Sequence, residues 1–220
     1  MKRTITVKGA GSIRVKPDHI KISMELFNTN KTYDIAMSEA AKRIEKIEQA
    51  VSRLGFKKDD LKTVSFNVSA EYENVRDENG NYHRQFGGYN CRYRLNLSFG
   101  FDNKTLSDVI AAIAESSAEP ELSIEFTVKD PQAVNDKLLA DAARNARHKA
   151  EVLCAAANCE LKALLNVDYN WGEINLVSRT NYSVNECIGA FATRAKAVPA
   201  DITPEDITAS DTVTFVWEIE

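Results

Sequence analysis

Hydrophobic and polar side chains alternate with a period of two along much of the first hundred residues. Ile5 and Val7 alternate with Thr4, Thr6 and Lys8, the pattern of a short strand. Gly9 and Gly11 are expected to break it at a bulge or tight turn, after which Ile13 and Val15 resume it up to Pro17. From His19 to Phe27, Ile20, Ile22, Met24 and Leu26 fall on one side, with His19, Lys21, Ser23 and Glu25 on the other. That is a strand with one buried face. The alternation returns at Val64, Phe66, Val68, Ala70 and Tyr72, and again at Tyr89, Cys91, Tyr93, Leu95, Leu97 and Phe99. A polar stretch from Arg76 to Gln85, with the turn signal Asn79-Gly80, separates these last two runs. They read as an antiparallel hairpin with a long exposed loop and arms of roughly 35–45 Å.

Other segments change period. Between Lys31 and Leu54, Ile35, Ala36, Ala40, Ile44, Ile47, Val51 and Leu54 fall at helical spacing, with Thr29 or Asn30 to cap the start and Gly55 to end it. This predicts a helix roughly 36 Å long, about the length of the hairpin arms. Leu106, Val109, Ile110, Ile113 and Ala114 mark a shorter helix, capped by Asp102 or Asn103 and stopped before Pro120. Leu122 to Val128 reads as a strand. Asp130-Pro131 is a helix start, an N-cap followed by proline at the first helical position. The alanine-rich stripe Val134, Leu138, Leu139, Ala142, Ala146, Ala150, Leu153 and Ala157 carries that helix onward, close to a sheet. Leu164 to Trp171 is a further strand, 174–204 reads as a long loop, and Ile207 to Ile219 alternates as a closing strand.

The resulting order, β β α β β α β α β β, is that of an α+β protein: a long antiparallel or mixed sheet packed against two long helices and one shorter one. Half-polar strands argue against a doubly wound parallel sheet, whose strands are apolar on both faces. The 220 residues fit a single domain or two lobes, about 1–101 and 102–220.

Composition narrows the class. Apolar residues make up 44% and charged residues 27%, with a net charge of −4, which excludes a disordered chain and disfavours one that lives on phosphate backbones. The longest apolar runs, Val109–Ala114 and Val152–Ala157, fall far short of the ~18 residues of a transmembrane helix. The N-terminal MKRTITVKGAGS enters a strand pattern at once and shows no signal peptide. The chain as given therefore reads as cytoplasmic, unless a leader has been removed. Cys91, Cys154, Cys159 and Cys187 form no CxxC pair and no metal-ligand spacing. Cys154 and Cys159, if both helical, point about 140° apart. All four read as free, buried or half-buried thiols.

Candidate chemistry is sparse. Gly9-Ala10-Gly11 leads into another strand and so lacks the helix N-terminus of a phosphate loop. His19, His83 and His148 stand in no HExxH or HxH pattern. Asp59-Asp60 and Glu205-Asp206 sit at element ends, where they cap or solvate. No serine occupies a nucleophile elbow and no Cys–His pair is evident. The most suggestive stretch is Tyr82 to Arg94, with three arginines, four aromatics and no acid. Sheet aromatics and arginines can stack RNA bases. Here Tyr89 and Tyr93 share the face of Leu95 and Leu97, which places them in the core. Glu71, Glu73, Asp77 and Glu78 on the other arm are placed to neutralise the arginines.

Several motifs together resemble the SIMPL domain family, a group that includes YggE-like bacterial envelope proteins. They are Ile5-x-Val7-x-Gly9-x-Gly11-x-Ile13-x-Val15-x-Pro17-Asp18, then Leu54-Gly55-Phe56 with Asp60-Leu61-Lys62-Thr63, then Gly88-Tyr89 opening a long strand. Ile124-x-Phe126 leading to Asp130, the Ala142–Ala157 helix and Ile202-Thr203-Pro204-x-x-Ile207-x-Ala209-x-x-Val213-x-Phe215 complete the set. Glu205, Asn158 and Lys162 stand where the family tends to carry glycine, which bears on local turns. The resemblance implies an α+β fold and, in some members, ring-like homo-oligomers. It also implies envelope or stress-response links, and a periplasmic location where a leader is present. It supplies no catalytic residues. The resulting expectation is a non-enzymatic structural or interaction protein that forms a homo-oligomer, with no cofactor, metal or nucleic acid. The alternatives are a small-molecule or peptide-binding module that uses the 174–204 loop, and an enzyme of unrecognised class.

Overall fold

The computed structural model describes residues 3–76, 81–169, 174–184 and 202–220. The α+β class holds. Eight strands and three helices follow the order β1 (Arg3–Val15), β2 (His19–Asn30), α1 (Tyr33–Arg53), β3 (Leu61–Arg76), β4 (Tyr82–Gly100), α2 (Asn103–Glu115), β5 (Glu121–Thr127), α3 (Pro131–Ala156), β6 (Leu161–Asp168), β7 (Val177–Val184) and β8 (Ile207–Ile219). The strands form two sheets rather than one, in the orders β1-β8-β6 and β3-β4-β2-β5-β7. The division into compact units does not fall near residue 101. One unit comprises residues 1–18, 127–179 and 204–220, the other 19–126 and 180–203.

In the first unit, β1 pairs antiparallel with β8 without a break, from Arg3↔Ile219 to Val15↔Ile207. The expected bulge at Gly9 and Gly11 is absent, and the two glycines lie in continuous strand. Their role is close packing. A Cβ on Gly9 would run into the Ala142 carbonyl oxygen, and one on Gly11 into that of Leu138. The alanine stripe of α3 is the counterpart: Ala142, Ala146 and Ala150 are buried with Val7, Val213, Phe215 and Trp217. Helix α3 also closes the free edge of β1. The backbone N–H groups of Ala10 and Ser12 donate to Asn145 Oδ1 and Asp141 Oδ2, both at 3.1 Å, and Lys149 Nζ donates to the Lys8 carbonyl. Between Lys8 and Ser12, where side chains satisfy these groups, the edge cannot template another strand. The expected cap is present: Asp130 accepts from the Ala133 N–H at 2.9 Å, ahead of Pro131.

In the second unit, Ile20, Ile22, Met24 and Leu26 of β2 are buried as their alternation predicts, against Ile47 and Val51 of α1 and Leu106, Val109, Ile110 and Ile113 of α2. Leu95, Leu97, Ile124 and Phe126 complete this core. Asp102 caps α2 by accepting from the Thr105 N–H at 2.7 Å. The two long helices thus serve different sheets, α3 with β1 and β8, α1 with β2 and β4.

Parts of two expected loops are strand instead. In the polar stretch Arg76–Gln85, β3 runs on to Arg76 and Tyr82–Gln85 already belong to β4. With neither face of that arm buried, no alternation marks it in the sequence. Part of the 174–204 segment is β7, beside β5. Asn79-Gly80, Trp171 and Cys187 lie outside the described residues. Among the described residues, no helix is long and apolar enough to cross a membrane.

Candidate functional site

Strand β4 has 19 residues and α1 has 21. At about 3.3 Å per strand residue and 1.5 Å per helix residue, the strand spans roughly 63 Å and the helix roughly 32 Å. The expected match of lengths therefore fails, and the β3–β4 hairpin outruns its helix. Where α1 covers the hairpin, the inward residues are buried or half-buried: Cys91 with Ala36 and Ala40, flanked by Val68, Tyr89 and Tyr93. Past the start of the helix the same face continues uncovered, and its residues are aromatic.

The aromatics form a chain of edge-to-face contacts. Tyr33, at the first position of α1, meets Tyr89 at 5.5 Å and 87°. Tyr89 meets Phe86 at 5.1 Å, and Phe86 meets Tyr72 at 5.9 Å. These are favoured quadrupole geometries and hold the rings in place. The Arg84 guanidinium lies 4.9 Å over the Tyr72 ring, and Arg76 lies 6.0 Å over Tyr82. Phe66 stacks on Tyr93 at 4.1 Å. Tyr72 remains 52% exposed, and Phe66, Phe86, Tyr33 and Tyr82 are exposed as well. Burial raises the Tyr93 hydroxyl above the usual tyrosine range, with smaller contributions from Cys91 and Tyr33. The kink that sets the outer arm is a register shift between Glu71 and Tyr72, opposite Gly87-Gly88. Gly88 has φ +149° and packs under Asn30, a position where a side chain would be strained.

The opposite face of this sheet is polar. Arg92 and Arg94 pair with Glu25 of β2 at 3.3 and 3.2 Å, not with the acids of β3. A central strand has two neighbours, and only the tertiary register (Glu25↔Arg94) selects between them. Glu71 instead accepts from Asn90 at 2.6 Å. Lys21 pairs with Glu125 at 3.1 Å. Lys21, Glu25, Arg94 and Glu125, with Ser23, Asn96, Glu121 and Ser123, border an open groove of about 480 Å³.

The remaining sequence candidates stay apart. His83 and His148 are exposed on β4 and α3, and His19 is half-buried at the start of β2. Among the described residues, no group of three or more His, Cys, Asp or Glu side chains could hold a metal ion. Asp60 accepts from the Lys57 N–H at 2.7 Å, a local cap as expected. Cys91, Cys154 and Cys159 are free thiols. Cys159 is not on the helix, because α3 ends at Ala156 and Asn158 turns the chain with φ +52°. Its Sγ lies 3.6 Å from the Cys154 carbonyl. Burial, then the neighbouring Cys159, pushes the Cys154 thiol up, and burial alone raises Cys91. The aromatic overhang was missed in sequence because Tyr33, Tyr72, Phe86 and Tyr89 share no period. Their enrichment around Tyr82–Arg94 was the one visible signal.

Two glycines held against a helix backbone, an alanine-striped helix and a long hairpin over a second helical layer make up an α+β architecture in which the described residues bring together no reactive cluster. The chain belongs to the SIMPL family, described as a protein of unknown function (DUF541), which it matches over residues 5–217. It is similar to a protein of Edwardsiella ictaluri named "Uncharacterized protein YggE", with 22% identity over 166 residues, covering 76% of this chain and 67% of the other.

Proposed function

We propose that the chain is a non-enzymatic interaction protein that assembles with copies of itself through the overhanging β3–β4 hairpin. The observation that carries this reading is the preorganised strip Tyr33–Tyr89–Phe86–Tyr72. It leaves large rings in water although they already stand in fixed geometry. Tyrosine, phenylalanine and arginine are the side chains enriched in the buried centres of interfaces, and rigid rings lose little entropy on docking. A contiguous exposed apolar strip of this kind costs hydration free energy in a lone monomer. The rings pack edge-to-face on one another and the chain carries a net charge of −4, which favours a protein surface over nucleic acid. The envelope and stress-response links of the resemblance fit such a role.

The test is light scattering after size exclusion at tens of micromolar. The wild type is expected above monomer mass, and a Tyr72→Ala/Phe86→Ala variant at monomer mass with an unchanged circular dichroism spectrum. A monomeric wild type, or a variant that assembles as the wild type does, overturns the proposal.

A further inference from the structure

A second surface, on the three-stranded sheet, has a different chemistry. The face of β1 and β8 turned away from α3 is rich in hydroxyls, and the register sets Ser12 opposite Ser210 and Arg14 opposite Thr208. These four side chains share one face, because all are the polar members of their alternations. Opposed pairs stand about 5 Å apart, and successive same-face positions on a strand about 7 Å apart. Arg179, near the start of β7, borders the same groove, whose volume is about 420 Å³. The lining residues, Ser12, Ile13, Arg14, Arg179, Thr208, Ala209 and Ser210, include two arginines, three hydroxyls and no acid. Neither guanidinium has a hydrogen-bond or ion-pair partner among the described residues. The carboxylate bonded to the Ser12 backbone, Asp141, is engaged by that N–H and by Arg144 and does not line the groove.

The position of Arg179 is built in. Its neighbour Ser178 is only 5% exposed, and its Oγ donates to the Glu205 carbonyl at 2.7 Å. Thr127 Oγ1 donates to the Leu176 carbonyl, also at 2.7 Å. Leu176 itself is buried with Val128, Val134 and Ile207. Arg179 therefore leaves an anchored backbone.

We propose that this groove binds a tetrahedral oxyanion of the phosphate class, held by Arg14 and Arg179 and by the hydroxyls of Ser12, Thr208 and Ser210. Two guanidiniums sharing a groove with no carboxylate repel one another, and an oxyanion between them replaces that repulsion with charge-assisted hydrogen bonds. The number of donors selects the class. Two guanidinium forks and three hydroxyls exceed what the two oxygens of a carboxylate accept, and match the four oxygens of a phosphate. The chain as a whole is acidic, so the attraction is local to these residues. It does not depend on the aromatic strip of the other unit.

The test uses the full chain, with inorganic phosphate as probe, in calorimetric titration at low ionic strength. Sodium chloride and sodium acetate at matched ionic strength are the controls. Phosphate is expected to bind saturably. Arg14→Gln and Arg179→Gln should each weaken it by about tenfold or more, while Arg147→Gln, on α3, leaves it unchanged. Thermal melting without phosphate checks that the variants fold as the wild type does. A second arm measures sedimentation with vesicles of phosphatidylglycerol and phosphatidylcholine against phosphatidylcholine alone. Arginine-dependent binding to the anionic vesicles, competed by phosphate, identifies a lipid headgroup as the source. Phosphate binding without vesicle binding identifies a soluble phosphate compound. Phosphate no better than chloride or acetate, or binding that survives both substitutions together, overturns the site.

Discussion

The contact between β1 and α3 makes the sharpest prediction, because it depends on the absence of two side chains. A Cβ on Gly9 would lie 2.7 Å from the Ala146 Cβ and closer still to the Ala142 carbonyl oxygen. Carbon–carbon contacts settle at about 3.5–4.0 Å, so helix and strand would have to part by about 1 Å. Neither can do so locally. The carbonyl is backbone, and β1 is held by unbroken pairing with β8 and by the Asn145, Asp141 and Lys149 bonds to its edge. Overpacking of a rigid contact costs typically 1–3 kcal/mol, and with backbone on one side Gly9→Ala should fall near the upper end, about 3 kcal/mol. For a chain of this size that corresponds to roughly 6–12 °C in Tm. Gly100→Ala is the control, since nothing lies within 4 Å of a Cβ there and the change should stay within about 0.5 kcal/mol. The assay is urea unfolding and thermal melting of both variants beside the wild type. If Gly9→Ala proves as stable as Gly100→Ala, the glycine is not there to admit the helix.

Two further outcomes follow from titratable groups. The Ser12 N–H, and after it Arg144, hold the Asp141 carboxyl below the usual carboxylate range. A depressed pKa contributes stability above the unfolded value, near 3.9, that is lost as pH falls through the folded one. Wild type should therefore melt above Asp141→Asn at neutral pH, and the gap should narrow as the pH falls below the unfolded carboxylate value. A gap independent of pH refutes the assignment. The thiols give the other outcome: Cys91 and Cys154 are buried and raised, while Cys159 is partly exposed. Iodoacetamide on the native protein should label Cys159 well before the other two, read by peptide mass spectrometry, since the thiolate is the nucleophile and must be reached. Equal labelling of all three would contradict the burial.

What could be read from the sequence was whatever depends on neighbours along the chain. The stripe Ile20, Ile22, Met24 and Leu26, the alanine face of α3, and the caps at Asp102 and Asp130 were all legible, because side chains two, three or four residues apart share a face through backbone geometry alone. Where neither face is buried, as in β3 and β4 from Glu73 to Gln85, there was no pattern to read. β7 could not be read either, because its residues Ser178-Arg179-Thr180-Asn181 are all polar and carry no apolar stripe, although Ser178 is buried.

The tertiary structure decided everything that depends on distant partners. It paired β1 with β8 across some two hundred residues, and sent Glu25 rather than the β3 acids to Arg92 and Arg94. It turned Gly9 and Gly11 from an apparent break into the floor of a helix contact. It also left the hairpin longer than its helix, which exposes the Tyr33–Tyr72 strip, and brought Arg14 and Arg179 to one groove. Local periodicity specifies which face of an element is buried, but it does not specify which other element buries it. That choice is made by the cooperative fit of whole surfaces, and both candidate sites are products of it.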